Sequence, residues 1–225
     1  PYAGGWNDGS RLAAAESLLD RGTLVIDDSV FVRPPATGPR PYRFSVAQYQ
    51  QMTAAGILTA NDRVELIEGE VVEKMPRNPP HDGTTQLVDK RICRRLPPGW
   101  DTRCQLTLQL GDSQPEPDVA VVRGDETTYL QRHPTAADAA LVIEVADSTL
   151  LTDRRDKARL YARAGVPAYW IVNLVDRRVE VFTDPSGPAM APAYATLRAY
   201  APGEAIPLLL AATPGTAVPA AELLP

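Results

Sequence analysis

Three short apolar runs constrain the fold of this chain more than any other feature. They cover residues 117–122, 141–146 and 168–173. Runs of this length that are apolar on both faces are typical of strands in the interior of a sheet. With 225 residues, 44% of them hydrophobic, the chain can bury one sizeable core. We therefore expect the three runs to lie side by side in one domain.

Helical signals occur between and before these strands. Ser45 can cap a helix over residues 46–55, which Gly56 would end. A second helix is predicted from about residue 81 to residue 96, because its apolar positions recur on one face. Since strands and helices alternate, the sequence predicts an α/β or α+β fold with a mixed β-sheet flanked by helices.

Further strands are predicted around this core. Residues 64–72 read as a hairpin that turns at Glu68 and Gly69, and residues 104–110 alternate like a half-buried strand. Residues 179–183 follow a turn, and short edge strands are expected in the tail from residue 184. We predict an N-terminal extension over residues 1–40 and one compact domain over residues 41–225.

Composition excludes some classes of protein. The net charge of −5 argues against a global basic field for nucleic acid, although a local basic groove stays open. Cys93 and Cys104 lack the spacing of a metal site or a disulfide framework, which favours the reducing cytoplasm. No apolar stretch approaches the ~20 residues that span a bilayer, so we expect no membrane association.

Lys157 stands on the apolar side of a predicted helix. Asp153 is the expected N-cap of this helix and Gly165 its C-terminal stop. Leu160 and Tyr161 follow Lys157 by three and four positions, so they share its face. The arginines of the segment fall mostly on its other faces: Arg154, Arg155, Arg159 and Arg163. A partly buried ammonium needs an anionic partner, which could be a carboxylate, a metal-bound hydroxide or a phosphate.

Two carboxylates interrupt the apolar strands. Asp118 opens one run, and Glu144 lies inside another. Two acids on neighbouring strands would raise each other's pKa unless a cation lay between them. Mg²⁺ commonly takes one or two carboxylates, a backbone carbonyl and several waters. Each acid taken alone could instead be a strand-end residue paired with an arginine.

A set of motifs in this order resembles the Uma-type family of predicted restriction endonucleases, within the PD-(D/E)XK nuclease superfamily. The similarity covers roughly residues 43–183. It rests on the run Glu-Leu-Ile-Glu-Gly-Glu-Val at 65–71, His81, Pro-Asp at 117–118, Leu-Val-Ile-Glu-Val at 141–145, Asp153, Lys157, Tyr161, Ala-Gly-Val-Pro at 164–167 and Tyr-Trp-Ile-Val at 169–172.

The resemblance implies a restriction-endonuclease-like core with a phosphodiesterase site. Asp118 would match the aspartate of the superfamily and Glu144 its second acid. The superfamily usually places its lysine two residues after that acid, where this chain has Ala146. Lys157 is the candidate replacement, reaching the site from the following helix.

The resemblance also implies a cofactor and a substrate. Mg²⁺ or Mn²⁺ would be held by Asp118, Glu144 and the carbonyl of Val145, and DNA would be cleaved. Glu65 could add a further carboxylate, and His81 could contact phosphate or orient water. A homodimer would be expected if both strands of a duplex are cut.

Two other functions remain to be weighed. The chain could be a catalytically inactive nuclease-fold protein that serves as a binding or scaffold partner in a mobile-element or defence system. A small-molecule hydrolase with Ser148 as nucleophile has little support, because the chain has only two histidines and no nucleophile-elbow pattern.

Overall fold

The computed structural model describes residues 41–210, 213–214 and 216–225, so the predicted N-terminal extension lies outside the described residues. Helices and short strands alternate along this part of the chain. The elements are α1 (Val46–Ala54), β1 (Val64–Ile67), β2 (Glu70–Glu73), α2 (Pro79–Cys93), β3 (Trp100–Cys104), β4 (Val119–Arg123), β5 (Ala139–Ala146), α3 (Leu150–Thr152), a π-helical turn (Asp153–Lys157), α4 (Ala158–Ala164), β6 (Ala168–Asn173), β7 (Arg178–Pro185), β8 (Tyr194–Tyr200), β9 (Ala205–Ile206), β10 (Leu209–Leu210), β11 (Thr213–Pro214), β12 (Val218–Pro219) and a 3₁₀ helix (Ala220–Glu222).

A six-stranded mixed sheet is the central layer, with spatial order β3-β4-β5-β6-β7-β8. Only the β5–β6 pair within it is parallel, and the other four pairs are antiparallel. A parallel pair needs a crossover connection, which α3, the π-helical turn and α4 provide. Every residue of β5 and β6 is buried. The predicted mixed sheet flanked by helices is therefore confirmed.

The two faces of the sheet are covered by different parts of the chain. On one face, Val88 and Ile92 of α2 pack with Trp170 and with the C-terminal segment around Leu208. On the opposite face, Leu160 and Tyr161 of α4 pack with a second apolar cluster. Alternate residues of each central strand serve each cluster, which explains why these strands are apolar throughout.

The predicted starts and turns are largely confirmed. The Ser45 hydroxyl accepts a hydrogen bond from the Gln48 N–H, and the Gln48 side chain accepts one from the Ser45 N–H, forming a capping box. The hairpin turns at Glu68 and Gly69, with φ values of 50° and 79°. Gly69 is required there, because a Cβ would also lie 2.9 Å from the Cβ of Arg43. Helix α2 ends at Cys93, earlier than the predicted residue 96.

The predicted strand over residues 104–110 is wrong. Strand β3 ends at Cys104, and Gln105 turns the chain with a φ of 54°. Leu108 N–H then donates to the Pro115 carbonyl at 2.9 Å, so the segment bonds to a neighbouring loop and not to a strand. Leu108 and Leu110 are buried nonetheless. The alternating apolar residues therefore indicated burial, but the segment forms no ladder of strand hydrogen bonds.

Two predictions about composition can be compared with the structure. Cys93 and Cys104 are both free thiols. Within the described ranges no helix has the length and apolar character needed to cross a bilayer.

Candidate active site

A cleft of about 760 Å³ opens where β4 begins and β5 ends. All five side chains singled out from the sequence line it: Glu65, His81, Asp118, Glu144 and Lys157. They come from β1, α2, the residue before β4, β5 and the π-helical turn. Elements far apart in the sequence therefore converge on one site.

Asp118 and Glu144 are held against each other by the register of β4 and β5, in which Val119 pairs with Ile143. Both acids are buried. The Asp118 N–H donates to Oε2 of Glu144 at 3.3 Å, and the Val145 N–H donates to Oδ2 of Asp118 at 2.9 Å. Backbone groups thus fix the position of both carboxylates.

Lys157 reaches the same pair from the helical side. Its Nζ lies 2.8 Å from Oε1 of Glu144, and the hydroxyl of Tyr161 donates to the same oxygen at 2.7 Å. Burial opposes the charged ammonium, but the carboxylates of Glu144, Glu65 and Asp153 outweigh it and raise the pKa of Lys157. Lys157 therefore stays protonated.

The two acids have pKa values shifted in opposite directions. Burial, together with the neighbouring Asp118, raises the pKa of Glu144 to about 8 despite Lys157. Burial also opposes ionisation of Asp118, but hydrogen bonds from His81 and the Val145 N–H lower the pKa of Asp118 overall. At neutral pH one acid is ionised and the other is held close to its titration range.

His81 lies at the N-terminal end of α2, which Asn78 caps by accepting from the His81 N–H at 3.0 Å. Its Nε2 is 3.2 Å from Oδ2 of Asp118. The hydrogen bond to Asp118 raises the pKa of His81. Its Nδ1 is buried without a hydrogen-bond partner, 3.6 Å from Oδ1 of Asp82.

Glu65 lies in β1, where its Oε2 accepts from the Glu116 N–H at 3.0 Å. It does not contact Asp118 or Glu144 through a hydrogen bond. Its charge contributes to the raised pKa of Lys157, so it belongs to the electrostatic surroundings of the site. Its predicted role as a further carboxylate stays a prediction.

Asp153 was predicted as the N-cap of the Lys157 helix, and this is wrong. The helical segment already begins at Leu150, and Asp153 lies in the π-helical turn. Its Oδ2 accepts from the Thr149 hydroxyl at 2.6 Å, and burial raises the pKa of Asp153. Asp153 lines the cleft as an acid that the sequence analysis missed. The signal was its position four residues before Lys157, which places both on one helical face.

Tyr161 was predicted only as an apolar neighbour of Lys157. It is fully buried as expected, but its hydroxyl contacts Glu144 directly. The C-terminal stop at Gly165 is confirmed, with a left-handed φ of 77°.

The donor set fits a hard divalent cation. The N–H and C=O of a strand residue point to the same side, so the Val145 carbonyl lies on the side of β5 from which its N–H donates to Asp118. Two carboxylates and this carbonyl supply oxygen donors, which Mg²⁺ and Mn²⁺ prefer. In the ranges that the structure covers, no group of three or more His, Cys, Asp or Glu side chains could hold a metal ion. Carbonyl and water ligands would have to complete the coordination.

The mixed sheet brings Asp118 and Glu144 together and adds Lys157 from the crossover, which is the arrangement that the motifs predicted. The family profile of Uma2, described as "Putative restriction endonuclease", matches residues 46–221. The chain therefore belongs to the Uma2 family, as its motifs predicted.

A solved structure with a similar fold matches most of the chain. It is described as a "putative nuclease belonging to DUF820 from Anabaena variabilis ATCC 29413". Its TM-score is 0.58 at 14% sequence identity, and the match covers 81% of this chain and 97% of that one. No curated protein matches the chain. The family description supports a nuclease, and the structural neighbour shows the fold.

Proposed function

We propose that this protein is a metal-dependent endonuclease that hydrolyses DNA phosphodiester bonds in the cleft at Asp118 and Glu144. The observation that carries the proposal is the pairing of two buried carboxylates with one ammonium. Asp118 N–H donates to Glu144 at 3.3 Å, and Lys157 Nζ lies 2.8 Å from Glu144. Ion pairs built only for stability usually balance their charges, whereas here the acids are in excess.

The charge of the cleft supports a divalent cation. Eight acidic side chains line the cleft, against four Lys or Arg side chains and His81: Glu65, Glu73, Glu116, Asp118, Glu144, Asp147, Asp153 and Asp156 against Arg63, Lys74, Arg77 and Lys157. Acidic side chains are therefore in excess around the cleft. Bound by Asp118, Glu144 and the Val145 carbonyl, Mg²⁺ or Mn²⁺ would polarise the scissile phosphate and lower the pKa of a water molecule.

The protein side chains orient and stabilise the reacting groups. The Lys157 ammonium, held at Glu144, can donate to the nucleophilic water or to the oxygens of the phosphate as negative charge grows on them. The Tyr161 hydroxyl fixes the rotamer of Glu144. His81, whose pKa the hydrogen bond to Asp118 raises, can contact phosphate or orient water. The family name supports DNA as the substrate, and a homodimer stays a prediction.

A catalytically inactive nuclease-fold protein, serving as a binding or scaffold partner, is the second candidate. It is favoured by one observation: Oε1 of Glu144 already accepts from both Lys157 and Tyr161, as in a satisfied structural pair. Such a protein would bind DNA or a partner without cutting.

The deciding experiment measures cleavage of supercoiled plasmid with Mg²⁺ and with Mn²⁺. We expect wild type to nick or linearise the plasmid and Asp118→Ala to leave it intact. Asp138→Ala is the matched control, because Asp138 is an aspartate paired with Arg132 outside the cleft, and it should cleave like wild type. Calorimetry should detect Mn²⁺ binding to wild type and not to Asp118→Ala. Absence of both binding and cleavage in wild type would exclude the nuclease and leave the scaffold.

A further inference from the structure

The π-helical turn Asp153–Lys157 joins α3 to α4 directly above the sheet. Hydrogen bonds that span five residues put one more residue into such a turn than an α-helix would. One residue more or less rotates everything that follows by about 100° around the helix axis. The direction in which Lys157 points therefore depends on keeping this turn.

Arg154, in the same turn, contacts Glu180 of β7. Its Nε and Nη2 donate to Oε2 and Oε1 of Glu180 at 2.8 Å and 2.5 Å, a two-point guanidinium–carboxylate contact. Glu180 is buried in β7 and also accepts from Asn173 at 2.8 Å and Arg178 at 3.2 Å. Two cations and an amide make Glu180 a fixed anchor.

The two glutamates contacted by this turn lie in one row across the sheet. Glu144 pairs with Ile171 in the β5–β6 register, and Ile171 pairs with Glu180 in the β6–β7 register. Their side chains therefore emerge from one face, two strands and about 9.5 Å apart. Lys157 contacts the first glutamate, and Arg154 contacts the second. The turn is thus held at two points of a rigid sheet.

We infer that Arg154 is a positioning residue, whose contact with Glu180 keeps the π-helical turn in the register that delivers Lys157 to Glu144. Nothing in this role requires Arg154 to touch substrate. Its effect on cleavage rests on the proposed function, whereas its effect on Lys157 does not.

A purely structural ion pair makes a different prediction. Removing it would lower stability and leave the Lys157–Glu144 contact unchanged. The chain offers a matched comparison in Arg95, whose Nη2 donates to both carboxylate oxygens of Glu222 at 2.8 Å. That contact ties the segment after α2 to the C-terminal 3₁₀ helix, on the face of the sheet away from Lys157. Arg95→Ala therefore removes a similar ion pair without touching the turn.

The position of Lys157 can be read directly by NMR of protein labelled with ¹⁵N-lysine. The chain has only three lysines, so the Lys157 ammonium can be assigned by its loss in Lys157→Gln. In wild type and Arg95→Ala, we expect a Lys157 ¹⁵Nζ signal protected from exchange by Glu144. In Arg154→Ala, we expect that protection to be lost. A folded Arg154→Ala protein with an unchanged Lys157 signal would overturn the inference.

Arg154→Lys provides the second variant, for the case in which Arg154→Ala does not fold. It keeps a cation beside Glu180 but loses the two-point contact. Partial loss of protection at Lys157 is expected, and a wild-type signal in this variant would contradict the inference equally.

Kinetics give the functional readout. In Arg154→Ala, kcat should fall about 10-fold to 100-fold with KM within about twofold, because a displaced Lys157 weakens only the transition state. Arg154→Lys should recover part of kcat, and Arg95→Ala should match wild type. Equal losses in Arg154→Ala and Arg95→Ala would assign Arg154 a structural role only. If wild type cleaves nothing, the proposed function fails, while the lysine signal still decides the positioning role.

Discussion

Glu144 and Glu180 are two buried glutamates in one row of the same sheet, yet their surroundings differ in charge. Glu180 accepts from Arg154, Arg178 and Asn173, and these contacts lower its pKa although burial opposes ionisation. Glu144 has one ammonium and one tyrosine hydroxyl, and Asp118 lies beside it. Burial raises the pKa of Glu144 to about 8.

The difference shows where the molecule keeps unbalanced charge. At Glu180 the charges balance, because Arg154 and Arg178 also pair with Asp176, and the group holds two strands and a helical turn together. At Glu144 carboxylates outnumber cations, and the surplus faces a cleft. An acid that is buried without full compensation carries a cost in stability, which is typical of a functional site.

The largest expected effect is on kcat, and it distinguishes the cation beside Glu144 from a cation beside Glu180. Lys157→Met should lower kcat about 100-fold to 1,000-fold, because it removes the donor nearest to the growing charge on the phosphate. Arg178→Met, which removes the outer partner of Glu180, should keep kcat near the wild-type value. Single-turnover cleavage of a labelled duplex measures both. Equal loss in the two variants would break the comparison.

Stability should show the reverse order. Glu180→Ala should lower the free energy of unfolding by about 2 kcal/mol, because Arg154 and Arg178 lose a buried acceptor although Asp176 still pairs with both. Glu144→Gln should cost about 1 kcal/mol or less, since it removes a surplus negative charge while the amide oxygen still accepts from Tyr161. Urea denaturation followed by circular dichroism gives both values, and a larger loss in Glu144→Gln would contradict the assignment.

A divalent metal ion should stabilise the folded protein through Glu144 and not through Glu180. At a free Mn²⁺ concentration 100 times its Kd, the unfolding free energy of wild type should rise by about 2.7 kcal/mol. The rise should disappear in Glu144→Gln, which lacks a ligand, and persist in Glu180→Ala. Thermal unfolding with and without MnCl₂, with Ca²⁺-free buffer as reference, measures it. Metal stabilisation that survives Glu144→Gln would place the ion elsewhere.

The smallest expected effect is on how stability depends on pH. Because the folded-state pKa of Glu180 is lowered, its contribution to stability is present above the unfolded value of about 4.3 and is lost as the pH falls through the folded value. Glu180→Gln should therefore flatten the decline of stability at acid pH. The pH dependence at Glu144 has the opposite sign. Because its folded-state pKa is raised, its contribution to stability falls as the pH rises from the pKa of the unfolded chain towards about 8. Unfolding curves from pH 3 to pH 8, without metal, distinguish the two.

Much of the fold followed from local pattern. The strands β5 and β6 were predicted because both faces of each are buried, and the hairpin because Glu68-Gly69 adopts left-handed backbone readily. The strand predicted over residues 104–110 failed because alternation reports burial, whereas a strand also needs a hydrogen-bonded neighbour. That neighbour is decided by the path of the loop after Gln105.

The candidate site was found where charge interrupts apolar sequence. That signal marked Asp118, Glu144 and Lys157, and it was equally present at Glu180, inside the apolar strand β7, where it was not used. Arg154 was assigned to an outer face of a regular helix, but its side chain contacts a buried acid from a π-helical turn. Assigning helix faces from the sequence assumes a constant number of residues per turn, so it does not detect the extra residue of a π-helical turn.

The sequence by itself determined which residues could be buried and which charges would be buried with them, because patterning and desolvation act on each segment separately. It could not determine how those charges are shared. The sequence offered two acids, Asp118 and Glu144, as partners for Lys157, and it indicated no partner for Arg154. Only the tertiary structure, through the registers of β5, β6 and β7 and the π-helical turn above them, assigned Lys157 to Glu144 and Arg154 to Glu180. Electrostatic pairing depends on distances of a few ångströms between segments far apart in the chain, and packing alone sets those distances.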